Sequence, residues 1–439
     1  MLYHAYELNH AALAPLREAV EFNKRYLESP YNPASYTLFG RTAAAACDLF
    51  ESMTRRYSKP LWGLNSTLVG DIEIAVQERV IWEKPFCRLL HFERSREGLA
   101  KAHGKAGWTH PRLLLVAPLS GHYATLLRGT VDAFLSEYEV YVTEWTDARE
   151  VPLSEGRFDL NDYIDYIIEM IEVLGPDIHI ISICQPGPPV LAAVAVMSEQ
   201  DNESLPSTMT FMGSPIDTRL SPTTPNKIAM ERSFDWFKDN MIYTVPWPNK
   251  GIMRRVYPGF LQLSGFITMN QDRHVTAHNK YFEHLVEGDC DSAQRHRDFY
   301  NEYLAVLDLT EEFYLQTISD IFQEHRLPKG EFMHRGQLVQ PSKITKVGLM
   351  TIEGENDDIS GIGQTQAAHT LCVNIPQESQ LDYIQTGVGH YGVFSGRRFR
   401  ANVKPKIEDF MLKHFDVKRE NHFQKANELL FFSKTNGHL

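Results

Sequence analysis

The sequence contains no CxxC pair, no GxSxG serine elbow and no excess of basic charge, and no apolar run in it approaches the roughly 18 residues of a membrane span. Each absence removes a class of function. The five cysteines, Cys47, Cys87, Cys184, Cys290 and Cys372, are odd in number and scattered. They suggest neither a disulfide framework nor a zinc knuckle and fit a reducing, cytoplasmic setting in which a free thiol survives. A formal charge of −12 argues against nucleic acid or an anionic membrane as the main partner. Tyr3, His4, Glu7 and Asn9 interrupt any apolar core near the N-terminus, so no signal peptide is read there.

What is present is an ordinary globular composition over 439 residues, enough for one large domain with insertions. Helical spacing and flanking prolines predict a pair of amphipathic helices over Tyr6–Leu27 and Ser35–Tyr57, within an N-terminal helical extension of residues 1–70. Ile72–Phe92 suits an antiparallel pair broken at Lys84-Pro85. Short apolar runs then alternate with helical patterns: Arg112–Ala117, Glu139–Trp145, Ile178–Ile183 and Thr208–Met212 as strands, with a helix capped by Asp159 and another over Pro188–Ser198. Such alternation predicts a mainly parallel sheet with helices on both faces. Residues 216–340 offer helices and many aromatics but no convincing buried strand, and read as a helical cap. The core resumes over 341–417 with strands Ile344–Ile352 and Leu381–Gln385 and helices Gly363–Leu371 and Lys406–Phe415, leaving 418–439 as a polar tail.

The chemistry is concentrated at Cys184. An apolar strand ends there, Gln185-Pro186-Gly187-Pro188-Pro189 turns the chain, and an alanine- and valine-rich helix follows. Proline is tolerated in a first helical turn, where its missing N–H costs nothing, and this strand-turn-helix corner is where the α/β-hydrolase fold holds a nucleophile. A cysteine in an apolar run is ordinarily inert core; its context makes Cys184 the candidate, and with no serine elbow no serine displaces it. Asp357, in a loop after a later strand, and His390, between glycines after the last strand, complete the order nucleophile, acid, histidine. Asp358 and Glu355 compete with Asp357 in the same loop. An oxyanion would be met by the backbone N–H of Gln185 and one from the Leu119-Ser120-Gly121 loop, with Ser120 as candidate. The cap aromatics Trp236, Phe237 and Trp247 read as packing, with an apolar grip on a water-insoluble substrate as the alternative. His274 and His278 have metal-ligand spacing but no glutamate between them, and the Arg397, Arg398, Arg400 cluster reads as a solvated face.

The segments SICQPGPP, GENDDISGIGQT and GVGHYGVFSG, with PLSGHYATLLRGT and TEWTDAREVP, resemble the intracellular polyhydroxyalkanoate (poly-3-hydroxybutyrate) depolymerases, up to about Phe415. The resemblance implies an α/β-hydrolase that hydrolyses amorphous storage polyester on cytoplasmic granules. It implies a nucleophile at Cys184, an acid at Asp357 and a histidine at His390, and neither metal nor other cofactor. Through thioester chemistry, coenzyme A would be an alternative acyl acceptor. Polyhydroxyalkanoate synthases share this corner but usually as GxCxG, where this chain has Ser182 and Pro186, a departure that favours the depolymerase. A granule-bound structural protein is the non-enzymatic alternative, and a homo-oligomer is compatible with the sequence.

Overall fold

The structure, a computed structural model, describes residues 2–103 and 110–414. The expected tail, 418–439, lies outside these residues. Strands β1 (Ser66–Val69), β2 (Ile72–Lys84), β3 (Cys87–Arg94), β4 (Arg112–Val116), β5 (Glu139–Trp145), β6 (His179–Ile183) and β7 (Thr208–Met212) precede the cap. The cap contains the short β8 (Tyr243–Thr244), β9 (Arg255–Tyr257), β10 (Leu309–Thr310), β11 (Met333–His334) and β12 (Gln337–Leu338), and β13 (Gly348–Gly354) and β14 (Gln380–Gln385) follow it. The main sheet has the order β1-β2-β3-β5-β4-β6-β7-β13-β14. β1, β2 and β3 pair antiparallel, β3 meets β5 antiparallel, and every pairing from β5 to β14 is parallel.

Strands β6, β7 and β13 are buried at every position, which is why they are mostly apolar on both faces, with buried polar residues such as Ser182, Thr210 and Glu353 among them. From β4 the chain steps to one side to form β5 and then crosses to the other to form β6. At that reversal the two outgoing loops diverge and open a crevice at the C-terminal ends of β4 and β6. Ser120 follows β4 and Cys184 follows β6, so both border it.

The helices before and within the sheet are α1 (Leu2–Ala12), α2 (Ala14–Glu28), α3 (Leu38–Thr54), α4 (Arg96–His103), α5 (Arg128–Phe134), α6 (Leu160–Leu174) and α7 (Gly187–Glu199). Asp159 caps α6 through the N–H groups of Asn161 and Asp162, and the Asp162 side chain returns the bond in a capping box. α7 is buried from Gly187 to Met197, so it is apolar all round rather than amphipathic. The cap helices are α8 (Thr224–Glu231), α9 (Phe234–Met241), α10 (Gly259–Met269), α11 (Gln271–Glu287), α12 (Cys290–Tyr303), α13 (Glu311–Thr317) and the single turn α14 (Arg326–Lys329).

Four expectations are corrected. The first helix of the extension is two, α1 and α2, with Pro15 restarting the chain after Leu13. The extension is also not wholly helical, because β1 joins the sheet edge. The cap is not all-helical: β8, β9 and β10 form a small antiparallel sheet and β11 and β12 a ribbon, in strands too short to show a two-residue period. Finally, the helix expected over Gly363–Leu371 is limited to Ala368–Leu371. The preceding turn is held instead by Glu353, whose carboxylate accepts the N–H groups of Gly363, Thr365 and Gln366 at 2.8, 2.7 and 3.1 Å.

The extension docks on the cap as well as preceding the core. Tyr281 of α11 donates to Asp48 of α3 at 2.7 Å, and Arg55 donates to Asn301 of α12 at 2.6 Å. Tyr3 donates its hydroxyl to the buried Asp308 at 2.5 Å, and Tyr6 stacks on Phe260 with ring centroids 4.2 Å apart.

Candidate active site

Cys184 has φ +67°, in the left-handed region, which is disfavoured for any residue but glycine and is tolerated where the surroundings enforce it. Here the enforcement is a bond from the Cys184 N–H to the Met212 carbonyl at 2.8 Å and the burial of α7 directly behind the turn. The thiol is free and half-buried.

His390 opens the short helix His390–Phe394 after β14. Its Nδ1–H donates to Asp357 Oδ2 at 2.8 Å, and both side chains are almost sealed from solvent. The other Asp357 oxygen accepts the N–H groups of Ile359 and Ser360 at 2.9 and 2.8 Å, so the carboxylate is fixed from both ends. Cys184 lies near enough to the His390 imidazole to act on its charge. Burial disfavours the imidazolium, yet the influence of the neighbouring Cys184 and Asp357 and the hydrogen bond to Asp357 outweigh it, and the His390 pKa stands well above its ordinary value.

The structure thus brings Cys184, Asp357 and His390 together from three widely separated stretches. Of the competing acids, Asp358 is exposed and Glu355 turns away to accept the Gly387 N–H at 2.7 Å. Gln185 and Ser120 lie on opposite walls of the crevice and are linked through the next residue: the Gln185 side-chain oxygen accepts the Leu119 N–H at 3.1 Å. That bond commits Leu119 and leaves Ser120 as the next N–H along the loop. The cap holds the same loop, since Gln262 of α10 donates to the Ser120 carbonyl and Leu307 donates its N–H to the Gly121 carbonyl at 2.7 Å.

The three cap aromatics do not act alike. Phe237 is buried against Ile242 and Leu315, so it has no surface for substrate, which corrects its place among the binding candidates. Trp236 is half-buried, edge-on to Phe237 with the Arg232 guanidinium 5.0 Å over its ring. Trp247 is 79% exposed, and Met253 and Ile252 on the same loop are exposed too. His274 bonds the Tyr300 hydroxyl at 2.8 Å, and the described residues include no cluster of metal ligands.

Sequence reasoning missed three contributors. Gly213, with φ +55°, lies so near the imidazole-carboxylate pair that a Cβ there would be 3.0 Å from His390 Cε1 and 3.2 Å from Asp357 Oδ2. Tyr391 is largely buried beside Tyr303, Cys184 and Asp358, and burial together with those neighbours pushes its phenol up. Gln262 reaches the Ser120 loop from far along the chain. A glycine after a strand and a tyrosine after the histidine were visible as letters, but nothing local marks a glutamine 142 residues from its partner.

The strand order and the crevice at its reversal define the α/β-hydrolase fold. A family model described as the PHB de-polymerase C-terminus matches residues 213–415. The chain is 22% identical over 350 residues to the poly(3-hydroxyalkanoate) polymerase subunit PhaC of Haloferax mediterranei, an alignment that covers 77% of this chain and 64% of that relative's length. Among solved structures, a Bacillus megaterium epoxide hydrolase is similar at 12% identity and a TM-score of 0.42, covering 79% of this chain and 99% of that one. A thermophilic esterase from Thermogutta terrifontis is similar at 12% identity and a TM-score of 0.39, covering 80% and 97%. The chain therefore has the α/β-hydrolase fold and is similar, over the stretches just given, to polyhydroxyalkanoate proteins. No helix among the described residues is long and apolar enough to cross a membrane.

Proposed function

We propose that the protein hydrolyses ester bonds of a poly(3-hydroxyalkanoate), such as amorphous poly(3-hydroxybutyrate), at the surface of a storage granule. The observation that carries this reading is Cys184 held at a left-handed elbow beside an imidazole that is itself oriented by Asp357. Such a group is a nucleophile with its base and the base's orienter in place. Cys184 Sγ attacks the ester carbonyl and its proton resides on His390. The tetrahedral oxyanion is met by the N–H groups of Gln185 and Ser120, and collapse expels the alcohol end of the chain, which takes the proton from His390. Water activated by His390 then cleaves the 3-hydroxyalkanoyl thioester. Asp357 keeps Nδ1 protonated, so the other ring nitrogen always faces the reacting atoms.

The direct test incubates the protein with amorphous polyester granules and measures soluble hydroxyacid. Wild type releases it and Cys184→Ala does not; equal release by both overturns the mechanism. A second reading, acyl transfer, is favoured by the likeness to a polymerase subunit. It differs in the species that meets the thioester, a growing polymer chain or coenzyme A in place of water. Supplying 3-hydroxybutyryl-CoA and looking for polymer, or polymer plus coenzyme A and looking for acyl-CoA, separates the two.

A further inference from the structure

Where the extension docks on the cap, α3, α11 and α12 enclose a cavity of about 110 Å³. That is several times the roughly 10–15 Å³ that one water requires. Three cationic side chains, Lys24, Arg55 and Arg297, meet two carboxylates there, Asp48 and Glu51. Asp48 is already saturated: Lys24 and Arg297 pair with it, Arg297 at 3.4 Å, and Tyr281 donates to it at 2.7 Å. Glu51 stands 3.7 Å from Arg55, while the other end of that guanidinium donates to Asn301. The charges are therefore unequal, with one cation in excess.

The hydrogen bonding is unequal in the same sense. Arg55 Nε, Arg297 Nε and His278 Nδ1 are buried and have no hydrogen-bond partner among the described residues. An arginine Nε–H can only donate, and a buried charged donor left without an acceptor is costly. Each arginine lies beside an aromatic ring, Arg55 4.3 Å over Tyr57 and Arg297 5.8 Å from the centre of the Tyr281 ring, and each side chain is 35% exposed, so the Nε–H groups are buried while the guanidinium ends stay within reach of a solute. Burial and the nearby His274 lower the pKa of His278, and burial with the neighbouring His278, His284 and Arg297 lowers that of His296 to about 4. What complements two guanidinium donors lining one cavity, with one surplus positive charge, is a compact group with several lone pairs and a negative charge.

We propose that this cavity binds a small oxyanion, either inorganic phosphate or the carboxylate of a short hydroxy acid, with Arg55 and Arg297 as its main donors. Bound there, the anion joins α3 of the extension to α12 of the cap and holds the two together, because a ligand that binds only the docked form stabilises it by mass action. The hydroxy-acid source rests on the polyester reading above, since that reaction releases such an acid; the phosphate source does not.

The test uses the full chain in thermal-shift and calorimetric titrations with sodium phosphate and, separately, sodium 3-hydroxybutyrate, against sodium chloride at equal ionic strength. A saturable rise in Tm with one or both anions, absent with chloride, is expected, and the tighter of the two names the source. Arg297→Gln and Arg55→Lys should each weaken that binding about tenfold or more, the loss of one charge-assisted hydrogen bond. Arg55→Lys keeps the charge and guards against a variant that simply fails to fold. The proposal is overturned if neither anion shifts Tm beyond chloride, the cavity then holding water alone, or if both variants keep the shift and affinity of wild type. The titration is independent of ester hydrolysis, so an inactive but anion-binding protein would refute only the polyester reading.

Discussion

Gly187 and Ser214 approach so closely that a Cβ on Gly187 would lie 2.4 Å from Ser214 Cβ and 2.6 Å from its Oγ. This contact supplies what the glycine-flanked elbow usually provides. The flanking positions carry Ser182 and Pro186, both buried, and the glycine that lets the helix close on the sheet stands one residue later. Gly213, on the loop next to Ser214, clears the space for His390 and Asp357. The corner therefore remains tight without the motif.

Gly187→Ala should accordingly be harmful despite its size. Neither Ser214 atom is the far end of a flexible chain, so α7 or the loop after β7 must shift. Equilibrium urea unfolding should report a loss of about 1–3 kcal/mol, and granule hydrolysis should fall because the shift displaces Cys184. An unchanged midpoint with unchanged hydrolysis would show that the contact relaxes freely.

Asp357→Asn should leave the fold intact and cut kcat by roughly 10³–10⁴, as when the orienter of a catalytic histidine is made neutral. It should also lower the pKa of His390, since the Asp357 charge and hydrogen bond are among the influences raising it. Histidine NMR titration would follow that shift directly. Asp358→Asn is the control: its exposed carboxylate should be dispensable to within about a factor of 2. Equal losses from the two changes would remove Asp357 from its role.

Much of this arrangement was legible because it is local or periodic. Strands β5 and β7 keep the limits read from the sequence, and Asp159 caps α6, since continuous burial and capping leave their mark on neighbouring residues. The elbow was legible for the same reason. The meeting of Cys184, Asp357 and His390 could be expected only through topology, because parallel strands deliver their C-terminal ends to one edge. The rest depended on distant partners. Nothing near Glu353 announces that its carboxylate organises a turn ten residues on, and an aromatic residue such as Phe237 has the same letter whether it packs inward or faces solvent. The small strands of the cap escaped because two residues cannot display an alternation.

Phe237 and Trp247 should separate packing from surface contact. Phe237→Ala empties a buried site and should cost about 3–5 kcal/mol in urea unfolding. Trp247→Ala should change stability by no more than about 0.5 kcal/mol. If the exposed loop bearing Trp247, Ile252 and Met253 grips polymer, the same Trp247 variant should lose granule hydrolysis while keeping activity on a soluble short ester. Parallel losses on both substrates would rule out a surface role.

Glu353→Gln keeps the size of a buried side chain but turns an NH₂ toward backbone N–H groups that now share a carboxylate. A donor facing a donor leaves at least one of the Gly363, Thr365 and Gln366 amides unsatisfied, a loss of about 2–3 kcal/mol. Because Glu353 is the penultimate residue of β13, just before the loop that carries Asp357, hydrolysis should fall as well. Hydrogen exchange at the three amides is the sharper readout: protection there should drop in the variant, and unchanged protection would mean that another acceptor takes over.

Asp308 gives the fold a pH dependence of definite sign. Burial, reinforced by the neighbouring Asp147 charge and opposed by Arg149 and by bonds from Tyr3 and Gly259, pushes its carboxyl up from an ordinary 3.8 to about 7. Between pH 4 and 7 the folded chain retains this proton and the unfolded chain has lost it. The contribution of Asp308 to stability is therefore fully present below about 3.8 and is lost as pH rises through about 7. Asp308→Asn cannot titrate, so the stability of the variant minus that of wild type, from urea midpoints, should grow as pH rises from 4 to 7 and level off above. Tyr3 from the extension and Gly259 from the cap both donate to this carboxylate, at 2.5 and 2.9 Å, so the same window should be seen in protease resistance at the N-terminus. Parallel stability curves for the two proteins would mean that Asp308 is ionised in the folded chain throughout.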